Sequence, residues 1–329
     1  MKIYEERRLK LTENLSGDIA VIIPGSVLAN RSNDTAYPFR QDSNFYYLSG
    51  FNEPDSTLMI ISKSGKTNSI GFVPKKDKLK EIWDGFRYGP EGMKSDFGFN
   101  DAFNNDEIDE LLPDLLDGVS CVYYPFGKVD GFDQKVINWT KKANSKDRHS
   151  KKMEIADISK IIGNKRLIKD SSEINIIEKA CKISANAHLE AMKFVKPGMN
   201  EAEVEAFYLY EFAKNGGRFP AYNPIVASGE NACVLHYVEN NQVINDGDLL
   251  LIDAGCEYEM YASDITRTFP ANGKFSDEQL QIYKIVLEAQ KASVDAVSKG
   301  NGVMDPQKIS EKVITEGLID LGIIKGNLE

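Results

Sequence analysis

Gly247-Asp-Leu-Leu-Leu-Ile-Asp253-Ala-Gly-Cys-Glu-Tyr-Glu-Met-Tyr-Ala-Ser-Asp264-Ile-Thr-Arg-Thr-Phe269 is the stretch on which the reading of this chain turns. Leu249 to Ile252 is a short apolar run between the turn-forming pair Asp246-Gly247 and Gly255, which predicts a buried strand ending in Asp253. Tyr261 to Phe269 is β-branched and aromatic and predicts a second strand. A hairpin with its tight turn at Tyr258-Glu259 sets Asp253 directly opposite Asp264 on one face of the sheet. Cross-strand Cβ atoms lie about 4.5–5.5 Å apart, so two carboxylates placed there repel unless a proton or a cation sits between them. Hard oxygen donors suit Mn²⁺ or Mg²⁺, and paired ions about 3.5–4 Å apart are the usual partners of bridging carboxylates. The spacing therefore offers a dinuclear metal site. It equally allows a plainer arrangement in which Asp253 closes a strand as a turn residue and Asp264 faces solvent near Arg267.

Beyond this stretch, 329 residues exceed one ordinary core and predict two domains, 1–165 and 166–329, with the boundary in the polar region Gly163 to Asp170. With 42% hydrophobic and 27% charged residues the chain reads as globular, not disordered. A net charge of −10 argues against nucleic acid or an anionic membrane surface as the main partner and favours a small or peptide substrate. The charged, amphipathic start Met1-Lys-Ile-Tyr-Glu-Glu-Arg-Arg-Leu-Lys lacks the apolar centre of a signal peptide, and no run approaches a membrane span, so a cytoplasmic location is expected. Cys121, Cys181, Cys233 and Cys256 are scattered without a C-x-x-C pair, which argues against a disulfide framework or a zinc knot. Cys256, although near the two aspartates, reads as a small core residue.

In the first half, Ile19 to Ile23, Phe45 to Leu48, Thr57 to Ile61, Ile70 to Val73 and Val119 to Tyr124 read as strands. Met1 to Leu15, Asp106 to Leu116 and Phe132 to Lys142 read as helices, giving a mixed α/β domain. Arg31 to Asp42 has no periodicity and reads as a polar loop. The basic run Lys141 to Lys152, with His149 inside it, has no aromatic interleaving and reads as a solvated, exposed loop.

In the second half, Asp170-x-x-Glu173 has capping-box character and opens a helix whose stripe is Ile174, Ile177, Cys181, Ser184, His188, Met192 and Val195, stopped by Pro197-Gly198. His188 on that stripe reads as a packed helix histidine. Asn200-x-x-Glu203 opens a second helix ended by Asn215-Gly216-Gly217. Strands are expected at Pro224 to Ala227 and Ala232 to Tyr237, then the hairpin, then helices from Ser276-x-x-Gln279 to about Ser298 and from Asp305 or Pro306 to about Leu321. His236, near the end of an expected strand and followed by Tyr237, Glu239 and Asn240, can donate to a peptide carbonyl or stabilise an oxyanion; a structural role is the plainer reading.

Asp253-Ala-Gly and Ser263-Asp264-Ile-Thr-Arg-Thr-Phe resemble the metal-binding core of the proline-specific pita-bread metallopeptidases, and Ile252 to Pro270 is most similar to aminopeptidase P. Arg31-Ser-Asn-Asp-Thr-Ala-Tyr-Pro-Phe-Arg-Gln-Asp-Ser-Asn-Phe-Tyr-Tyr-Leu-Ser-Gly-Phe51 is similar to that family's amino-terminal domain, and Ser228-Gly-Glu-Asn-Ala-Cys-Val-Leu-His236-Tyr-Val-Glu-Asn240 to its active-site histidine segment. The likeness covers nearly the whole chain. It implies an α/β amino-terminal domain followed by an α+β pita-bread domain, with Asp253 on one ion, Asp264 bridging two, most naturally Mn²⁺, and His236 facing substrate. It also implies removal of an amino-terminal residue that precedes proline, by water whose pKa the ions lower. The Arg31 to Asp42 loop would lie toward the substrate end of the cleft. Glu81-Ile-Trp83-Asp-Gly-Phe-Arg-Tyr-Gly89 resembles the family segment whose aromatic residue approaches a neighbouring subunit's site, which points to Trp83 and a homo-oligomer.

The family's later ligands, one histidine and two glutamates, have no counterpart here, since the only histidines are His149, His188 and His236. The pita-bread domain is therefore expected to be incomplete and the chain weakly active or inactive by itself, because two aspartates are too few ligands for two ions. Met260 also departs from the pattern, standing near the turn where the family often has glycine. The rival readings are a noncatalytic peptide-binding module of the same fold and a prolidase-type dipeptidase.

Overall fold

The computed structural model describes residues 2–145 and 152–326, so His149 and most of the basic run lie outside the described residues. Contacts divide the chain into two compact units, Met1–Asp170 and Ser171–Glu329. No helix among the described residues is long and apolar enough to cross a membrane.

The strands of the first unit are β1 (Ile19–Pro24), β2 (Asn30–Ser32), β3 (Thr35–Ala36), β4 (Thr57–Lys63), β5 (Lys66–Val73), β6 (Asp101–Asn104), β7 (Cys121–Tyr124) and β8 (Glu154–Asp157). Its helices are α1 (Lys2–Thr12), α2 (Ser43–Ser49), α3 (Lys78–Asp84), α4 (Gly89–Phe97), α5 (Ile108–Leu115), α6 (Phe132–Asn144) and α7 (Ser159–Leu167). Six strands form one mixed sheet in the order β6-β5-β4-β1-β7-β8. β1 is buried along its whole length: Ile19, Val21 and Ile23 join the core on one face, and Ala20 and Ile22 that on the other. A strand covered on both faces reads as a continuous apolar run, which is why it was legible.

Two expectations in this unit fail locally. Phe45 to Leu48 is helical, not extended, because Asp42 caps the backbone N–H groups of Asn44 and Phe45 at 2.9 Å and Gly50 closes the helix at φ 68°. The aromatic bias toward strand yields to those two end signals. The Arg31 to Asp42 loop contains the small β2–β3 hairpin. Within the region Gly163 to Asp170, α7 runs on to Leu167 and the division between the two units follows Asp170.

The second unit comprises α8 (Ser171–Phe194), α9 (Glu201–Lys214), β9 (Phe219–Pro220), β10 (Ile225–Ser228), β11 (Leu249–Asp253), β12 (Cys256–Tyr258), β13 (Tyr261–Ala262), β14 (Thr266–Pro270), α10 (Asp277–Asp295) and α11 (Asp305–Asp320). Its sheets run β10-β11-β14 and β13-β12-β9. The expected capping boxes at Asn200/Glu203 and Ser276/Gln279 are both formed. The stripe that α8 buries is Ala180, Ile183, Ser184, Ala187, His188 and Ala191, whereas Ile174, Cys181 and Met192 are exposed. Small residues face the sheet because the helix lies close to it: the Ser184 hydroxyl accepts from Cys256 N–H at 3.0 Å.

Ala232 to Tyr237 is not a strand. Gly229–Cys233 is a short 3₁₀ turn, and the chain continues as an irregular loop. The apolar run that suggests a strand is not buried here; Val234 and Leu235 are exposed.

Candidate active site

β11 is buried in alternation, with Leu250 and Ile252 fully inside against α8 and α9. Period-two alternation puts Asp253 on the opposite, more open face with Leu251. β14 pairs with β11 so that Asp253 faces Thr266, and β12 pairs with β13 so that Tyr258 faces Tyr261. The hairpin turn is therefore Glu259-Met260, one residue beyond the expected one, and Asp264 sits diagonal to Asp253 instead of directly opposite. Glu259 and Met260 have φ of 46° and 71°, the left-handed pair that a two-residue type I′ turn requires.

A diagonal residue on the same face can still converge, and a backbone crossing helps it. The chain passes so tightly at Gly255 that a Cβ there would lie 1.8 Å from the Ser263 carbonyl oxygen. Only glycine permits that approach. The Tyr222 hydroxyl then donates to Oδ1 of Asp253 at 2.5 Å and, in the same fork, to Oδ1 of Asp264 at 3.2 Å. Burial, and after it the Asp253 carboxylate, push the Tyr222 pKa well above its ordinary value, so the phenol keeps its proton and remains a donor. Asp264 is solvent-exposed, as the plainer reading held, but it is directed to the same hydroxyl as Asp253; Arg267 instead donates to the Thr266 carbonyl at 2.7 Å.

Tyr222 had no motif or spacing to mark it. Its role comes from a contact across 31 and 42 residues of chain. The donor kind, two carboxylates around one proton, fits a hard divalent cation. The number does not fit two such ions, because no group of three or more His, Cys, Asp or Glu side chains among the described residues could hold a metal.

The two described histidines, His188 and His236, part company. His188 is buried on α8; its Nε2 bonds the Ala254 carbonyl at 3.2 Å and its Nδ1 the Tyr208 hydroxyl at 2.8 Å. With Nε2–H donating and Nδ1 accepting, both bonds are met by the neutral ring, and burial lowers its pKa. It supports the residue after Asp253 and is the packed helix histidine expected. His236 is exposed in the loop between β10 and β11. That loop starts from β10, whose Ile225 pairs with Asp253. It returns there through buried Asn240, whose Oδ1 accepts from Val226 N–H and whose Nδ2 donates to the Pro224 carbonyl, both at 2.9 Å. Cys256 is buried with its Sγ toward the Ala180 carbonyl, a core residue.

The sequence pattern of metallopeptidase family M24 matches residues 175–326, and that of the aminopeptidase P N-terminal domain matches residues 4–123. The chain is 40% identical to the Xaa-Pro aminopeptidase of Haemophilus influenzae over 328 residues, covering 99% of this chain and 74% of that protein. It is 38% identical to the Xaa-Pro aminopeptidase of Escherichia coli, covering 99% and 75%. Among solved structures, the aminopeptidase PepP of Pseudomonas aeruginosa superposes with a TM-score of 0.95 at 40% identity, covering 98% of this chain and 74% of that one.

Proposed function

The chain belongs to the Xaa-Pro aminopeptidases of metallopeptidase family M24, and from that premise we propose that Asp253 and Asp264 are its metal-binding aspartates and that His236 faces the substrate. The observation that carries this reading is the single Tyr222 hydroxyl shared by both carboxylates. A proton between two carboxylates marks the place where a cation would relieve the same repulsion. The cations are divalent, with Mn²⁺ the first to try.

The substrate is a peptide with proline second. Proline has no amide hydrogen and a fixed φ, so a pocket formed around its ring selects it over residues that bind as an ordinary extended strand. An exposed imidazole at His236 can donate to the peptide carbonyl as charge develops on its oxygen. Four free cysteines suit a reducing compartment, here the cytoplasm. Self-association is supported by exposed Leu79, Ile82, Trp83 and Phe86, with Trp83 88% exposed.

Two aspartates leave most coordination positions of two ions unfilled, so these 329 residues alone are expected to turn over peptide weakly or not at all. Adding Mn²⁺ and assaying an Xaa-Pro-Xaa peptide tests this. Robust turnover would overturn the incomplete-site part, and such turnover surviving in Asp264→Ala would remove the aspartate assignment.

A further inference from the structure

A carboxylate that the site itself does not use is buried beneath the His236 loop. Glu201, the first residue of α9, is 0% exposed. Helix capping does not account for it, because Asn200 and Glu203 already form the capping box. Instead its two oxygens gather five donors. Oε1 accepts from Ser228 N–H at 2.8 Å, the Ser228 hydroxyl at 2.7 Å and Asn231 Nδ2 at 3.2 Å. Oε2 accepts from the Tyr237 hydroxyl at 2.8 Å and Gln242 N–H at 3.0 Å.

All five donors belong to one stretch, 228–242, and they fall at its start, its 3₁₀ turn, the residue beside His236 and its end. A buried charge is expensive unless every lone pair is used, so this carboxylate is retained for what its donors hold in place. Burial pushes its pKa up, but the bonds from Gln242, Ser228 and Tyr237 outweigh that and hold it below the ordinary carboxylate value. One turn further along α9, Glu205 accepts from Asn240 Nδ2 at 3.0 Å, where the loop returns with Asn240 at φ 45°. Within a loop fastened in this way, Tyr237 is buried while its neighbour His236 is exposed.

We propose that Glu201 is a positioning residue for His236, acting through the Tyr237 hydroxyl and the backbone of residues 228–242 to fix where the imidazole meets the peptide. This rests on the reading of His236 as substrate-facing. Removing the charge with Glu201→Gln places an NH₂ group among five donors, and the loop loses one of the two acceptor oxygens that hold it.

With only three histidines in the chain, ¹H–¹³C spectra of the imidazole Cε1–Hε1 groups resolve the question, the His236 signal being identified by its loss in His236→Gln. In Glu201→Gln the His236 signal should move or split while that of His188 stays. Tyr237→Phe, which removes one donor and keeps the ring, should move it in the same direction by less. A parallel titration uses an Ala-Pro-Ala peptide with Mn²⁺. Glu201→Gln should weaken binding about tenfold in the wild-type background and add little to His236→Gln. A His236 signal unmoved in both variants, or binding losses that simply multiply, would overturn the proposal. If His236→Gln alone binds peptide as tightly as wild type, it is the substrate-facing reading that falls, and the spectra still decide whether Glu201 positions the ring.

Discussion

Replacing the Tyr222 hydroxyl by hydrogen leaves Asp253 and Asp264 facing each other without the proton they share. Tyr222→Phe is therefore expected to lower stability by about 1–3 kcal/mol. Urea unfolding of both chains measures it, and equal midpoints would contradict the account in which one hydroxyl serves both carboxylates. His188 offers a dependence on pH. Its ring sits below the ordinary value of 6.5 because it is buried, so the unfolded chain takes up this proton at a higher pH than the folded one. Its contribution is complete above about pH 6.5 and is lost as the pH falls through the lower folded value. The wild-type Tm should accordingly drop more steeply below about pH 6.5 than that of His188→Gln, which has no titrating ring. At this scale the sequence was legible where chemistry is concentrated, in the paired aspartates and in a histidine on a helical stripe. It was silent on Tyr222 and Glu201, whose partners lie 27 to 42 residues away along the chain.

Among the elements, the hairpin shows what periodicity can and cannot specify. The apolar run Leu249 to Ile252 correctly marks β11, but register depends on the turn, and Glu259-Met260 lacks the Asn-Gly signal that marks a two-residue turn. Met260 at φ 71° pays for that, since a side chain in the left-handed region is strained. Met260→Gly is expected to raise stability by about 0.5–1 kcal/mol without moving the aspartates, read as a higher urea midpoint with an unchanged slope. A lower midpoint would mean that the methionine side chain contributes packing that outweighs the turn strain. The loop 228–242 departs from the strand expected at Ala232 to Tyr237 for a related reason. Its apolar letters suggested burial against a neighbouring strand, whereas its polar groups are satisfied by one carboxylate on α9. Caps, by contrast, were readable from single residues: Asn200 and Ser276 sit where their side chains bond the first turn.

At the level of the whole chain, a mixed α/β unit precedes a pita-bread unit, and the net charge of −10 sets a general attraction for cations that is distinct from a built site. Surface charge attracts cations diffusely and is screened by salt; convergent carboxylates bind with defined stoichiometry. The fold class could be read from strand and helix patterns together with the family likeness, and the hairpin pointed to Asp253 and Asp264 meeting on one face; what could not be read is the route, a diagonal register and the crossing at Gly255. Calorimetric titration of Mn²⁺ into the wild-type chain, Asp253→Ala and Asp264→Ala at moderate salt tests that convergence most directly. A saturable binding event present in the wild type and lost in each single variant is the expected result. Identical titration curves for all three chains would contradict it.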